Sequence, residues 1–469
     1  MNQVRLGIDV ACRAEHRASL TDERGEFLWS NWRFETDSAD LERLWDKLPD
    51  GAQVVAVMEP TRNAWVPLAA WLKSRGVQVV VIPPEQSADL RAYYNKHTKT
   101  DRLDSRVLAR VPLLHPEGLR EIDDLGPAEP LKRVARRHSS LQQRRTAAMQ
   151  RLDALVELLG PVWADILGAG DYTKTALVVL ERYADPRALK KLGRRRLTDL
   201  LIRTSRGQFR EAKADQLLAA ASETLELWAH GGLDFAQLAQ DIASEVRVIN
   251  TLNAELKTTD DRGKALYSNA DPEGIVISTP GVSHTLAVGI LGRTGDLNRF
   301  ANLAGIRSFT GIVPKIDQSG LTDTHKGLTK KGDPGLRQAL YLAAEQVRRV
   351  DPTLAARYHR LIVEEGKHHV SAVCSIAAVL ITRIAACWRT GQHYQLRDTD
   401  GTPITETQGR TICAERYKID PKLRAARRRT TKAQQHKQRA SRRKKKSNKA
   451  ASPSNPPTNN NTPNPLDNR

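Results

Sequence analysis

Cysteine is scarce in this chain of 469 residues. Four occur, Cys12, Cys374, Cys387 and Cys413, and no two have the close spacing of a zinc knuckle or a redox pair. Their scarcity predicts a reduced, cytosolic protein. A bilayer-spanning run of roughly 20 apolar residues is also missing. The most apolar stretch, 371–388, is broken by Arg383 and predicts a buried helix, with no membrane partner. The amino terminus lacks the basic, apolar and small-residue succession of a signal peptide. Acidic side chains are absent from 422–449, which carries 14 Lys or Arg. With a net charge of +20 and a pI near 9.9, the chain favours a polyanionic partner, nucleic acid first.

What is present suggests several units, since 469 residues exceed one ordinary core. Residues 1–125 alternate strand-like and helix-like segments, the pattern of an α/β domain. Leu6, Ile8 and Val10 share one face of the first strand, and Gly7, Asp9 and Ala11 share the other. A hairpin turning at 22–25 comes next, then a helix over 38–48. A second strand, 53–58, ends before Glu59 and Pro60; a helix over 63–75 and a strand over 77–82 succeed it. Residues 126–268 read as a helical linker and oligomerisation region: a long basic helix over 127–158, then a charged helical stretch, 209–266, interrupted at Gly231-Gly232, which suggests a coiled-coil hairpin. A mainly α unit is expected over 269–392. The extension 393–469 is expected to be disordered from 422, where apolar residues run out.

Two-metal phosphoryl transfer needs several carboxylates converging on ions roughly 3.5 to 4 Å apart. Asp9 and Glu59 both stand at or just beyond strand carboxyl ends, where ligands bind in α/β sheets. Asp101 and Asp104 lie three apart at a helix start, so both can face one way. Asp101 alone also suits an N-cap, and a lone strand Asp is usually an ion-pair partner; it is the combination that points to a site. Pro280-Gly281-Val282-Ser283 before a helix fits either a simple helix-entry turn or a helix-hairpin-helix turn whose amides hold a DNA phosphate. His325, His368 and His369 show no regular ligand spacing.

The runs Gly7-Ile8-Asp9-Val10, Val57-Met58-Glu59-Pro60-Thr61 and Lys99-Thr100-Asp101-Arg102-Leu103-Asp104-Ser105 resemble the DEDD-type transposases of insertion sequence family 110, over about residues 4–390. The second domain is similar through Thr279-Pro280-Gly281-Val282, 295–300, Gly311-Ile312-Val313-Pro314 and Gln318-Ser319-Gly320, continuing through Lys330-Lys331-Gly332-Asp333 and Leu336-Arg337. The resemblance implies a RuvC-like first domain with a ribonuclease H fold and four metal-binding carboxylates at Asp9, Glu59, Asp101 and Asp104. It also places the family's nucleophilic serine at Ser319. A hydroxyl in a glycine-flanked loop near Lys326, Lys330 and Lys331 is compatible with attack on a phosphodiester, although serine before glycine is also an ordinary turn residue.

The same resemblance implies a DNA recombinase that excises and inserts its own element, using Mg²⁺ or Mn²⁺, two ions in all. Double-stranded DNA and a structured noncoding guide RNA are the implied partners, and a dimer or tetramer the implied assembly, in the bacterial cytoplasm at the nucleoid. Gly281, Ser283, Lys326, Lys330, Lys331 and Arg337 are the expected nucleic-acid contacts. Two rivals share the composition: a structure-specific nuclease acting on branched DNA, which needs the carboxylates but no serine, and a nonenzymatic nucleic-acid-binding protein.

Overall fold

The computed structural model describes residues 3–82, 101–114, 116, 119, 121–122, 125–319, 322–330 and 332–428, with the side chains of 101–103, 127, 315–319 and 322–326 outside the description. The chain divides into two compact units, one of residues 1–340 with 382–394, the other of 341–381 with 395–469.

The first unit opens with β1 (Gln3–Asp9), β2 (His16–Thr21), β3 (Phe27–Phe34), α1 (Ser38–Trp45), β4 (Gln53–Met58), α2 (Trp65–Ser74), β5 (Gln78–Val81) and α3 (Asp101–Leu114). The strands form one sheet in the order β3-β2-β1-β4-β5, antiparallel between β1, β2 and β3, parallel between β1, β4 and β5. Strict alternation of side chains sorts the core. Leu6, Ile8, Ala56 and Met58 are buried with Leu41, Leu44, Leu68 and Leu72, from α1 and α2, on one face. Val55, Val57 and Val80 meet Leu108 and Val111 of α3 on the other. A mixed sheet covered on both faces fits the ribonuclease H-like expectation for this region.

The rest of the unit is helical: α4 (Pro130–Val156), α5 (Pro161–Leu167), α6 (Lys174–Tyr183), α7 (Pro186–Ser205), α8 (Glu211–Leu227), α9 (Phe235–Ala270), α10 (His284–Thr294) and α11 (Leu303–Thr310). The break at Gly231-Gly232 is where the sequence put it, but the two helices flanking it do not fold back on each other. α8 packs on α7, and α9 packs mainly along α4. That long pair is antiparallel, because Arg145 bonds Asn253 (2.6 Å) and Arg151 bonds Glu245 (2.9 Å), partner numbers falling as α4 numbers rise. Leu238, Ile242, Val246, Ile249, Leu252 and Leu256 give α9 a buried stripe at spacings of three and four, long enough to match α4 and too long for α8.

Next come a hairpin of β6 (Pro314–Ser319) and β7 (Thr322–Leu328), then α12 (Pro334–Val347). The second unit contains α13 (Pro352–Val363), α15 (Glu406–Arg416) and α16 (Pro421–Arg428), and α14 (His369–Thr390) runs through the most apolar stretch of the chain. α14 is long and apolar enough to cross a membrane by composition, yet Ala372, Val373, Ile376, Ala377, Leu380 and Ile381 are wholly buried in the protein, as in a core helix. The disorder expected from Lys422 is corrected for 422–428, which form α16. Asp420 accepts from the Lys422 amide (2.7 Å) and Pro421 takes the first turn, so local capping outweighs the polar composition. Residues 429–469 lie outside the described residues.

Candidate active site

β1 and β4 are parallel and pair Ile8 with Met58. Asp9 and Glu59, one residue further on each strand, therefore occupy matching positions at neighbouring carboxyl ends. The alternation that puts Val55 and Val57 against α3 carries Glu59 toward that face, and Asp9 joins Gly7 on it.

Gly7 explains how α3 comes so close. A β-carbon there would fall on the Ala109 backbone nitrogen and the Ser105 carbonyl, so only glycine lets the helix backbone lie directly on β1. Ser105, wholly buried, shares a hydrogen bond of 2.9 Å with Ser19, the register partner of Gly7. Further along, Arg110 donates to the Gly25 carbonyl (3.3 Å) in the β2–β3 turn, near the amino end of β1. The helix thus runs antiparallel to β1 and starts at its carboxyl end. Asp101 and Asp104 open α3 where Asp9 and Glu59 close their strands, at the positive end of the helix dipole. Asp104 is half-buried, with Oδ1 withdrawn from solvent. The Asp101 side chain lies outside the described residues, and among the described residues no three His, Cys, Asp or Glu side chains form a group able to hold an ion. Carboxylate oxygens such as those of Asp9, Glu59 and Asp104 are hard donors, a kind that suits Mg²⁺ or Mn²⁺ by its chemistry.

The second set of predicted residues surrounds the β6–β7 hairpin. Ser319 ends β6 and pairs with Thr322; Gly320 and Leu321 of the turn, and the side chains of Ser319 and Lys326, lie outside the described residues, as does Lys331. The base of the hairpin is tied down. Thr329 donates to the Val313 carbonyl (2.9 Å), and Lys330, at φ 55°, donates through its amide to Gly311 (3.2 Å). Gly332, at φ 129°, lies on the Phe309 carbonyl, where a β-carbon would not fit. Asp333 then caps α12, accepting from Gly335 (2.7 Å) and Leu336 (3.1 Å).

Arg337 donates to the Gly332 carbonyl (3.0 Å) and, more weakly, to Thr310 (3.4 Å), so one arm of its guanidinium is spent on the loop. Ser283 is the N-cap of α10, accepting from Leu286 (3.3 Å), and Gly281 takes φ 77° ahead of it. Among the described residues, the hairpin has no extensive packing against β1, β4 or α3.

A residue outside every sequence motif completes the support. Arg293, at the end of α10 and buried, reaches Asp333 (2.6 Å), Ser139 of α4 (2.7 Å) and the Ala135 carbonyl (3.4 Å). Burial would raise the Asp333 carboxyl, but Arg293 and the two amides overcome it and hold the group below its ordinary value. Gly335 leaves room for the guanidinium, which a β-carbon would strike. The only sequence signal is Asp333-Pro334-Gly335, a helix start.

Known proteins divide along the same lines as the geometry. A DEDD-type transposase model of IS110 matches residues 6–161, and the transposase model of the IS116/IS110/IS902 family matches residues 274–359. The 43.6 kDa protein of insertion element IS110 from Streptomyces coelicolor is 26% identical over 406 residues, 86% of this chain and 98% of the relative. The 44.8 kDa protein of insertion element IS116 from Streptomyces clavuligerus is 25% identical over 422 residues, 87% of this chain and 98% of the relative. A transposase for insertion sequence element IS1111A from Coxiella burnetii is 29% identical over 110 residues, 22% of this chain and 30% of its own length. One match holds the sheet with its acidic ends and the other holds the serine-bearing hairpin, so the chain belongs to the IS110/IS116 family of transposases, enzymes that cut and join DNA.

Proposed function

We propose that this transposase excises and inserts an insertion sequence by metal-dependent strand cleavage, with Ser319 as the attacking nucleophile and Asp9, Glu59, Asp101 and Asp104 as the metal-holding set. The observation that supports it is the in-register pairing of β1 with β4 beneath the amino end of α3. Mg²⁺ or Mn²⁺, when bound, would activate the attacking oxygen and stabilise the leaving one. The four carboxylates supply hard oxygen ligands and, beyond that, repel a misplaced phosphate. The Ser319 oxygen bonds to phosphorus while the sugar oxygen departs and takes up a proton; joining reverses this, a new sugar hydroxyl displacing the serine. Lys326, Lys330 and Lys331, which follow Ser319 closely in sequence, would offset charge developing on the phosphate oxygens.

An oligomer, with dimers assembling into a tetramer and the active site completed across subunits, is part of the same reading. A structured noncoding RNA from the same element is the proposed guide, acting in the bacterial cytoplasm at the nucleoid.

Strand transfer with a labelled element end, with and without RNA transcribed from the flanking region, tests the proposal. Asp9→Asn or Glu59→Gln should abolish cleavage and joining while leaving most DNA affinity, because phosphate contacts from Lys and Arg supply that affinity. Cleavage by wild type without any joining would favour a structure-specific nuclease. Unimpaired joining by Asp9→Asn would overturn the metal site.

A further inference from the structure

In the second unit α13, α15 and α16, with the turn at Arg348 and Arg349, line an open cavity of about 270 Å³ that strand cleavage and joining do not explain. Its wall carries five cations, Arg348, Arg349, Arg410, Lys418 and Arg424, and no carboxylate. Glu345 pairs with Arg348 (2.7 Å) and Arg349 (3.8 Å), and Glu406 pairs with Arg410 (3.3 Å). Lys418 and Arg424 have no ion-pair partner among the described residues, so the cavity keeps a positive excess.

Beside these two cations stands a buried one, Arg348, whose charge Glu345 meets. It is only 9% exposed and lies over the Tyr358 ring at 4.2 Å. Its Nε is shut off from solvent with no hydrogen-bond partner, a donor that costs roughly 1 to 3 kcal/mol to leave unmet. Tyr358 is itself fixed, its hydroxyl sharing a 2.7 Å hydrogen bond with His369 Nδ1, and His369 in turn reaches Glu345 (3.1 Å). The floor of the cavity is therefore tied together through Tyr358, His369 and Glu345.

Cys413 also lines the cavity, but burial pushes its thiol up to about 12, with Asp351 and Asp398 adding to the shift, so it offers no thiolate. Those two carboxylates are already engaged, Asp351 by the Leu354 amide (3.0 Å) and Asp398 by Arg416 (2.8 Å). The cavity thus offers cations and no nucleophile of its own.

We propose that it seats one phosphate of a nucleic-acid strand, apart from the carboxylate site. Its volume lies just under the roughly 300 to 1,000 Å³ of small-ligand sites, enough for a single nucleotide and far too small for a duplex. Arginine forks and a lysine suit phosphate oxygens, and the ring of Tyr417 at the wall offers a stacking surface for a base or sugar. The chain's own continuation is no candidate occupant, because 422–449 is basic and holds no Asp or Glu.

The inference rests on the nucleic-acid reading of the whole chain, and one experiment separates the two. Hydrogen exchange of the full chain is monitored with a single-stranded DNA, an RNA of the same sequence and inorganic phosphate. Either strand should slow exchange between Cys413 and Arg424. The double variant Lys418→Gln/Arg424→Gln should abolish that protection and flatten the salt slope of strand binding by about 0.7, the value for one phosphate no longer neutralised on a single strand. Lys418→Arg should restore it when Arg424 is kept. Both side chains are exposed, so an unchanged melting temperature certifies the fold. Strand binding with equal slope and equal exchange in wild type and variant would overturn the cavity assignment alone. No strand binding by wild type would overturn the nucleic-acid reading with it. Protection by inorganic phosphate and by neither strand would overturn the strand as ligand.

Discussion

Arg293 and Asp333 meet at 2.6 Å across forty residues of sequence, the guanidinium held among α4 and α10 and the carboxylate capping α12. Everything between them, including the β6–β7 hairpin with Ser319, is a loop closed by that contact.

Asp333→Ala should cost about 3 kcal/mol or more, since it strands a buried guanidinium and removes an N-cap together. Asp333→Asn keeps the cap and should cost less, so the difference isolates the charge. Because the folded carboxyl lies below its ordinary value of 3.8, the stability it contributes is complete above that value and is lost as pH falls through the lowered one. Calorimetry across pH 2 to 6, as an order-of-magnitude window, should show the Asn variant losing less stability than wild type at the acid end. Parallel curves would mean that the pair is not formed in solution.

Gly7→Ala should destabilise the sheet domain by roughly 3 kcal/mol or abolish its folding, because the added carbon meets helix backbone and not a movable side chain. Val10→Ala, in the opposite core, removes two methyls and should cost less, roughly 1 to 3 kcal/mol. Denaturant midpoints for the two variants decide this. A tolerated Gly7→Ala would show that α3 can lift from β1.

Ser319→Ala should lower joining by at least about 1,000-fold while changing stability by no more than about 0.5 kcal/mol. Reactions stopped under denaturing conditions should leave protein attached to a DNA end in wild type and none in the variant. An adduct that persists in Ser319→Ala, or maps to another residue, would move the nucleophile elsewhere.

Removing residues 429–469 deletes 11 Lys or Arg and a single acidic side chain, Asp467. Nonspecific DNA binding should weaken and its salt dependence flatten, with melting temperature unchanged. A salt slope equal to that of the full chain would show that this segment touches no nucleic acid under those conditions.

The sheet and its acidic ends were legible because period-two alternation is local: Leu6, Ile8 and Val10 declare one face, and Asp9 is left to the other by exclusion. The helix start at Asp101 was legible for the same reason. Partnership over distance was not. The stripe from Leu238 to Leu256 says that α9 is half-buried without saying against what, and the structure chose α4 over α8. Arg293 reads as one more surface arginine until Asp333 is brought to it. Arg337, expected at a phosphate, gives hydrogen bonds to Gly332 and Thr310, a use that depends on a backbone bend invisible in composition. For Lys422–Arg428 composition was misleading, because a single capping aspartate decided the outcome.

Parallel pairing of β1 with β4 makes the carboxylate arrangement a matter of counting. Deleting or inserting one residue between Val54 and Met58 would keep every hydrophobic contact type available, yet rotate Glu59 to the face occupied by Leu68 and Leu72. A charge would then be driven into an apolar layer while Asp9 stayed behind. The strand is thus a ruler whose length tolerates substitution of its valines far better than any change in their number.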